Sequence, residues 1–127
     1  MSNRIIYDVD GTIDLGVWSV WDHVDRNRVF LNPNINPHKV KFIVTGRFEE
    51  MRSRTLEYLT MMNIHPKIMC MNVLRITNPE YMYEMKANYL RILKADVYVD
   101  DDPRFKFFMP KYWDGIVIDS TELGAYL

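Results

Sequence analysis

Two aspartates, Asp8 and Asp10, flank a single valine at the end of "RIIYDVDGTID", and a second acidic group, Asp100 to Asp102, closes "DVYVDDDP" near the other end of the chain. Each group follows a short run rich in β-branched or aromatic residues, the composition of a buried strand. Carboxylates are depleted from strands and costly to bury unpaired, so something must compensate them. In an open parallel α/β sheet the carboxyl ends of adjacent strands share one edge, and ligands bind in the crevice there. Asp8, Asp10, Asp100 and Asp101 are therefore expected to converge, with Thr45 closing a third run, "VKFIVT". Two unit charges about 4 Å apart repel by about 4 kcal/mol at the effective dielectric of a protein surface. A cluster this acidic requires a cation.

All-oxygen ligation at a partly open site suits Mg2+, which keeps several waters and pairs one or two carboxylates with substrate phosphate. Zinc is not indicated, because His23, His38 and His65 are scattered and the lone cysteine, Cys70, has no ligand spacing. "DVDGTID" also lacks the ligand pattern and closing glutamate of a twelve-residue calcium loop. With a divalent ion in place, one carboxylate is free to attack phosphorus, forming an aspartyl-phosphate, and a second can protonate the departing oxygen. Asp8, fixed by its strand, suits the nucleophile. Asp10, nearer the loop, suits the acid and then the base for water. The phosphoryl oxygens need donors, for which the candidates are the turn amides around Gly11 and Thr12, the Thr45 hydroxyl, the Gly46 amide, and the cations of Arg47 and Lys86.

Five apolar runs of strand length, Arg4–Val9, Val40–Thr45, Lys67–Met71, Asp96–Asp100 and Gly115–Asp119, alternate with segments of helical period. This is an α/β pattern with a five-stranded, mostly parallel sheet. Phe48, Met51, Thr55, Leu59 and Met62 predict a helix over Phe48–Met62. A second helix begins at "NPEYMYEMK", with Asn78 as cap, Pro79 first inside, and Met82, Met85, Tyr89 and Leu93 facing the core. Residues 14–38 hold Trp18, Trp21, Phe30 and Leu31 and then "NPNINPH", which predicts a helix or hairpin followed by a loop. "RFKFFMPKYW" reads as a short helix ended near Pro110, its aromatics serving packing, with base stacking as the alternative.

The chain has 127 residues, 48% hydrophobic and 26% charged, which fits one domain over residues 1–127. A formal net charge of -1 argues against a strongly basic nucleic-acid clamp but leaves room for a local positive patch. Arg47, Arg52, Arg54, Arg104 and Lys106 follow the acidic and Thr45 motifs and could steer a polyanion to the cleft; a solvated charged face explains them equally. Cys70 reads as a packed strand thiol, and a single cysteine favours a reducing compartment. No run approaches the roughly 18 apolar residues of a membrane span, so a cytoplasmic protein is expected.

Taken in order, "DVDGT" (Asp8–Thr12), "VTGR" (Val44–Arg47), "MKANYL" around Lys86 and "VYVDDDP" (Val97–Pro103) resemble the four motifs of the haloacid dehalogenase-type phosphohydrolase superfamily. The resemblance implies a three-layer Rossmann-like fold, an aspartyl-phosphate mechanism and Mg2+ dependence. It makes Asp8 nucleophile and metal ligand, and Asp10 general acid/base with its main-chain carbonyl on the metal. Asp100 completes the metal site, Asp101 supports it or binds a metal water, and Thr45 and Lys86 hold the phosphate. Asp102 is the weakest ligand candidate of the three adjacent aspartates. The intervals Asp14–His38 and Arg47–Met85 leave no room for a large cap domain, which implies an open cleft. "KFIVTGR" and "ADVYVDDDP" are most similar to the phosphatase domain of polynucleotide kinase/phosphatases, and next to small 5'-nucleotidases. A nucleotide or nucleic-acid terminal phosphate is then the expected substrate, with a sugar phosphate or other small metabolite, or a non-catalytic phosphate-binding role, as the alternatives. No P-loop of the form GxxxxGK[ST] is present in these residues, so no kinase half is expected with it. Neither the substrate nor the oligomeric state is legible in the residues.

Overall fold

Five short strands form where the apolar runs lie: β1 (Ile5–Tyr7), β2 (Phe42–Phe48), β3 (Ile68–Asn72), β4 (Val97–Val99) and β5 (Ile116–Ile118). They were obtained in a computed structural model that describes residues 3–16 and 30–127. The strands make one sheet in the order β3-β2-β1-β4-β5, with every neighbouring pair parallel. Ile5, Ile6 and Tyr7 sit opposite Val97, Tyr98 and Val99. The chain builds outward from β1 to β2 and β3, then returns to place β4 on the other side of β1. The strand order therefore reverses between β1 and β4, and a crevice opens at their carboxyl ends.

Alternation along the strands divides the core between the two faces of the sheet. Tyr7, Ile43 and Val99 join Tyr58 and Leu59 of helix α1 (Arg52–Met61) and Met62, its C-cap. On the opposite face Ile6, Val44, Tyr98 and Val117 pack with Tyr83, Ala87 and Leu90 of helix α2 (Pro79–Ile92), and with Phe105 of helix α3 (Pro103–Phe108). The result is the expected α/β architecture, helix, parallel sheet and helix in three layers. Between Arg47 and Met85 the chain is occupied by α1, β3, their connections and the start of α2, with no inserted domain.

Two expectations about the elements are corrected. β2 does not stop at Thr45 but runs on to Phe48, so Phe48 is a strand residue and the helix starts after a 3-10 turn over Glu49–Met51. On α2, Asn78 caps as expected, its side chain accepting from the amides of Glu80 and Tyr81. Leu93 is buried in the core as expected, and Met82 and Tyr89 pack half-buried against it, but the buried positions within the helix are Tyr83, Lys86, Ala87 and Leu90, with Met85 half-buried beside them. The helix is turned so that Lys86 faces the sheet. "RFKFFMPKYW" forms the expected short helix: α3 ends at Phe108, and Pro110 lies inside a following 3-10 turn, Met109–Lys111.

Phe105, Met109 and Trp113 from that segment are buried, as the packing reading requires. Cys70 lies half-buried in β3, where burial pushes its thiol pKa up and makes it a poorer nucleophile. Trp18, Trp21 and His23, and most of the helix or hairpin expected there, fall outside the described residues. Among the described residues no helix is long and apolar enough to cross a membrane.

Candidate active site

β1 ends at Tyr7, and the chain carries Asp8 straight to the crevice, its amide still bonded to the Val99 carbonyl at 3.0 Å. β4 delivers Asp100 in the same way, through a 2.9 Å bond from its amide to Ile118. Both carboxylates are buried, and buried Lys86 lies between them. Its Nζ is 3.5 Å from Asp8 Oδ1 and 3.3 Å from Asp100 Oδ2. The lysine is walled by aromatic rings, 4.4 Å from the Phe105 centroid and 5.5 Å from that of Tyr98. Gly46 lies beside it: a Cβ there would press on Met82 Sδ at 3.2 Å and meet Lys86 Cε at an ordinary contact distance of 3.9 Å.

The electrostatics follow from this arrangement. Burial drives the Asp8 carboxyl pKa well above its ordinary value; Lys86 draws it down, while the charges of Asp100 and Asp10 push it further up. Lys86 is pulled down by burial, but the two carboxylates outweigh that and hold its ammonium above its usual range. Asp101 is raised by partial burial and then by neighbouring Asp100. Asp102, by contrast, is committed elsewhere. It caps α3 by accepting from the Arg104 amide, and it pairs with the Arg104 side chain at 2.7 Å, which lowers its pKa.

Asp10 is held by Arg47, whose Nε donates to Oδ2 at 2.9 Å while Nη2 donates to Oδ1. The arginine side chain is 1% exposed and the aspartate 30%. Arg47 reaches this position through an irregularity in β2: from Val44 to Phe48 the strand advances four residues while β3 advances two, Cys70 to Asn72. Such a bulge re-aims side chains at the edge of a site. It places Thr45 and Arg47 inward together, and the Arg47 amide donates to Thr45 Oγ1 at 3.2 Å. Buried Asn72 secures the segment, donating to the carbonyls of Gly46 and Ile76 and accepting from the Ile76 amide.

Asp8, Asp10, Gly46, Arg47, Lys86, Asp100 and Asp101 thus line one cleft of about 530 Å³, together with Asp102, Arg104 and Phe105. Gly11, Thr12 and Thr45 are not part of its wall. The amide of Gly11 donates to the Asp14 carbonyl and that of Thr12 to the Val9 carbonyl, because the tight turn after β1 uses them to close itself. Thr45 is fully buried, its hydroxyl engaged by Arg47. Arg47, expected on phosphate, grips Asp10 instead. Nor do four carboxylates share one point: among the described residues no three His, Cys, Asp or Glu side chains form a group able to hold a metal by themselves.

Reasoning from the residues missed Phe105, Asn72 and Asp14. Buried Asp14 ties the turn to α1, accepting from the Gly16 amide at 2.9 Å and from the Tyr58 hydroxyl at 3.4 Å. Only the repeated acidity of "DVDGTID" hinted at it. Gly11 has a positive φ of 75°, and a Cβ there would sit 2.8 Å from Asp101 Cγ. Gly11→Ala combines left-handed strain with displacement of that carboxylate, and a loss of about 1–3 kcal/mol is expected in a urea titration. An unchanged midpoint would mean that the turn relaxes freely.

Scans against protein-family models, curated proteins and solved structures found no match to this chain.

Proposed function

We propose that the protein is a Mg2+-dependent phosphomonoesterase of haloacid dehalogenase type, acting through an aspartyl-phosphate on Asp8. The observation that carries this reading is the buried Asp8–Lys86–Asp100 arrangement at the point where the strand order of a parallel sheet reverses. Asp10, two residues beyond Asp8, shares the cleft.

The donor set fits a divalent ion. Asp10 is balanced by Arg47 and Asp102 by Arg104, whereas Asp8 and Asp100 share Lys86 and Asp101 has no ion pair among the described residues. That leaves an excess of two negative charges when all are ionised; burial is the main reason that the pKa values of Asp8 and Asp101 are raised, and the Asp100 charge adds to it. Two carboxylates completed by water, a main-chain carbonyl and substrate phosphate is a coordination habit of Mg2+. When bound by Asp8 and Asp100, the ion would neutralise that excess and favour ionised Asp8 over its protonated form.

In the proposed reaction the ionised Asp8 carboxylate attacks phosphorus, the bond to the leaving oxygen breaks, and that oxygen takes up a proton. Lys86 offers its ammonium to the charge building on the phosphoryl oxygens. Asp10, accepting two N–H bonds from Arg47, is posed as a proton acceptor; to donate, it enters the cycle protonated and turned from the arginine. It then takes a proton from the water that attacks the aspartyl-phosphate, releasing phosphate and restoring Asp8. The absence of an inserted domain between Arg47 and Met85, and an exposed arginine, Arg104, beside the cleft, support a nucleotide or nucleic-acid terminal phosphate as substrate. Cytoplasmic residence is part of the same proposal.

The test is phosphate release from an aryl phosphate, 3'- and 5'-nucleotides, 3'-phosphorylated oligonucleotides and sugar phosphates. Turnover is expected with Mg2+ and lost with EDTA. No turnover on any of them would refute the reading, whereas a preference for sugar phosphates would refute only the substrate class.

A further inference from the structure

Because every strand is parallel, residues that precede the strands gather on the edge opposite the cleft. Arg4 comes just before β1, Lys41 just before β2 and Lys67 just before β3, while Lys94 occupies the turn leading to β4. With Lys39 these side chains line a groove of about 1050 Å³. Asp96 is the acidic side chain lining it, and its carboxylate accepts the Arg4 amide at 2.7 Å.

Most exposed cations elsewhere among the described residues are ion-paired, Arg54 and Arg91 excepted. Arg52, Arg75, Arg104, Lys106 and Lys111 each have a carboxylate within 3.4 Å. Lys39, Lys41, Lys67 and Lys94 are exposed and have no ion pair among the described residues. Four unneutralised ammonium groups so close together repel one another, a cost that a polyanion would remove.

We infer that this edge is a binding surface for the phosphate backbone of a single-stranded nucleic acid. Adjacent strands lie about 4.8 Å apart, so Lys67, Lys41 and Arg4 form a row along the edge that a charged polymer can follow. The recess is concave, which suits a strand laid into it and not a flat bilayer. Its wall also offers rings: Phe42, with the Arg4 guanidinium 4.9 Å from its centroid, and half-buried Tyr126. Cations interleaved with aromatic faces are the general means of holding single strands without sequence preference. The proposal goes beyond the chemistry at the other edge and does not depend on it.

Fluorescence anisotropy with a labelled oligonucleotide bearing hydroxyls at both ends, in EDTA, tests this without any hydrolysable phosphomonoester or bridging ion. With four lysine contacts the expected logarithmic salt slope is about -3, so affinity falls about 50-fold between 50 and 200 mM salt. K41E/K67E should weaken binding at least about tenfold, and K41A/K67A should weaken it less, both with circular dichroism unchanged. K106E/K111E should leave it intact. No saturable binding at 50 mM salt, binding indifferent to either Lys41/Lys67 pair, or stronger association with phosphatidylserine vesicles than with the oligonucleotide would each overturn the inference.

Discussion

Asp8→Asn is expected to abolish phosphate release, lowering kcat by about 10⁴-fold or more, as removal of a covalent nucleophile does. The same variant should be more stable than the parent in EDTA at neutral pH. Ionising Asp8 is harder in the folded chain than in the unfolded one, since burial and the Asp100 charge raise its pKa even with the pull of Lys86 counted. That penalty is absent below the ordinary carboxylate value of 3.8 and grows as pH rises toward and through the folded pKa. Asparagine carries no such penalty, so the melting temperature should rise at pH 7 and the gain should vanish on acidification. Retained turnover would remove Asp8 from the chemistry. A lowered melting temperature at pH 7 would mean that its charge is stabilising in place, against the electrostatic account of the site.

Lys86→Met should cost about 3–5 kcal/mol at pH 7 in EDTA, because it leaves two buried carboxylates with no cation between them. The raised ammonium pKa gives the sign: its contribution is fully present below its ordinary value of 10.5 and is lost only as pH rises through the higher folded value. Urea denaturation measures the loss. Adding Asp8→Asn and Asp100→Asn to the methionine variant should recover most of it, since no buried charge then lacks a partner. A loss below about 1 kcal/mol for the single variant would mean that water or rearrangement already compensates those carboxylates. Phosphate release should fall with the lysine in either case.

The two predictions rest on residues that could be read from the chain, and the reason is physical. A strand buried on both faces is a continuous apolar run, and an acid at its end is conspicuous because nothing about the core favours it. Asp8 and Asp100 were legible on those grounds, and parallel pairing brings them to one edge. The bulge at Thr45–Arg47 was not legible, because an extra step in one strand is defined only against its neighbour, β3. The grip of Arg47 on Asp10 depends on that bulge and was hidden with it. The face of α2 was misread by one position for another reason: a hydrophobic stripe leaves lysine out, yet here Lys86 helps define the buried side. Gly11 and Thr12 show the remaining difficulty, that a turn amide is a phosphate donor only if the turn itself does not need it.

Although the formal charge of the chain sums to -1, the described residues are bipolar, with unbalanced carboxylates where the strands end and unbalanced ammonium groups where they begin. That separation gives the described residues an electric moment running along the strands, and at low ionic strength such a moment steers approach to other charged molecules. A polyanion nearby exerts a torque that turns the lysine pole toward it and leaves the acidic mouth pointing away, free to receive whatever arrives from solution.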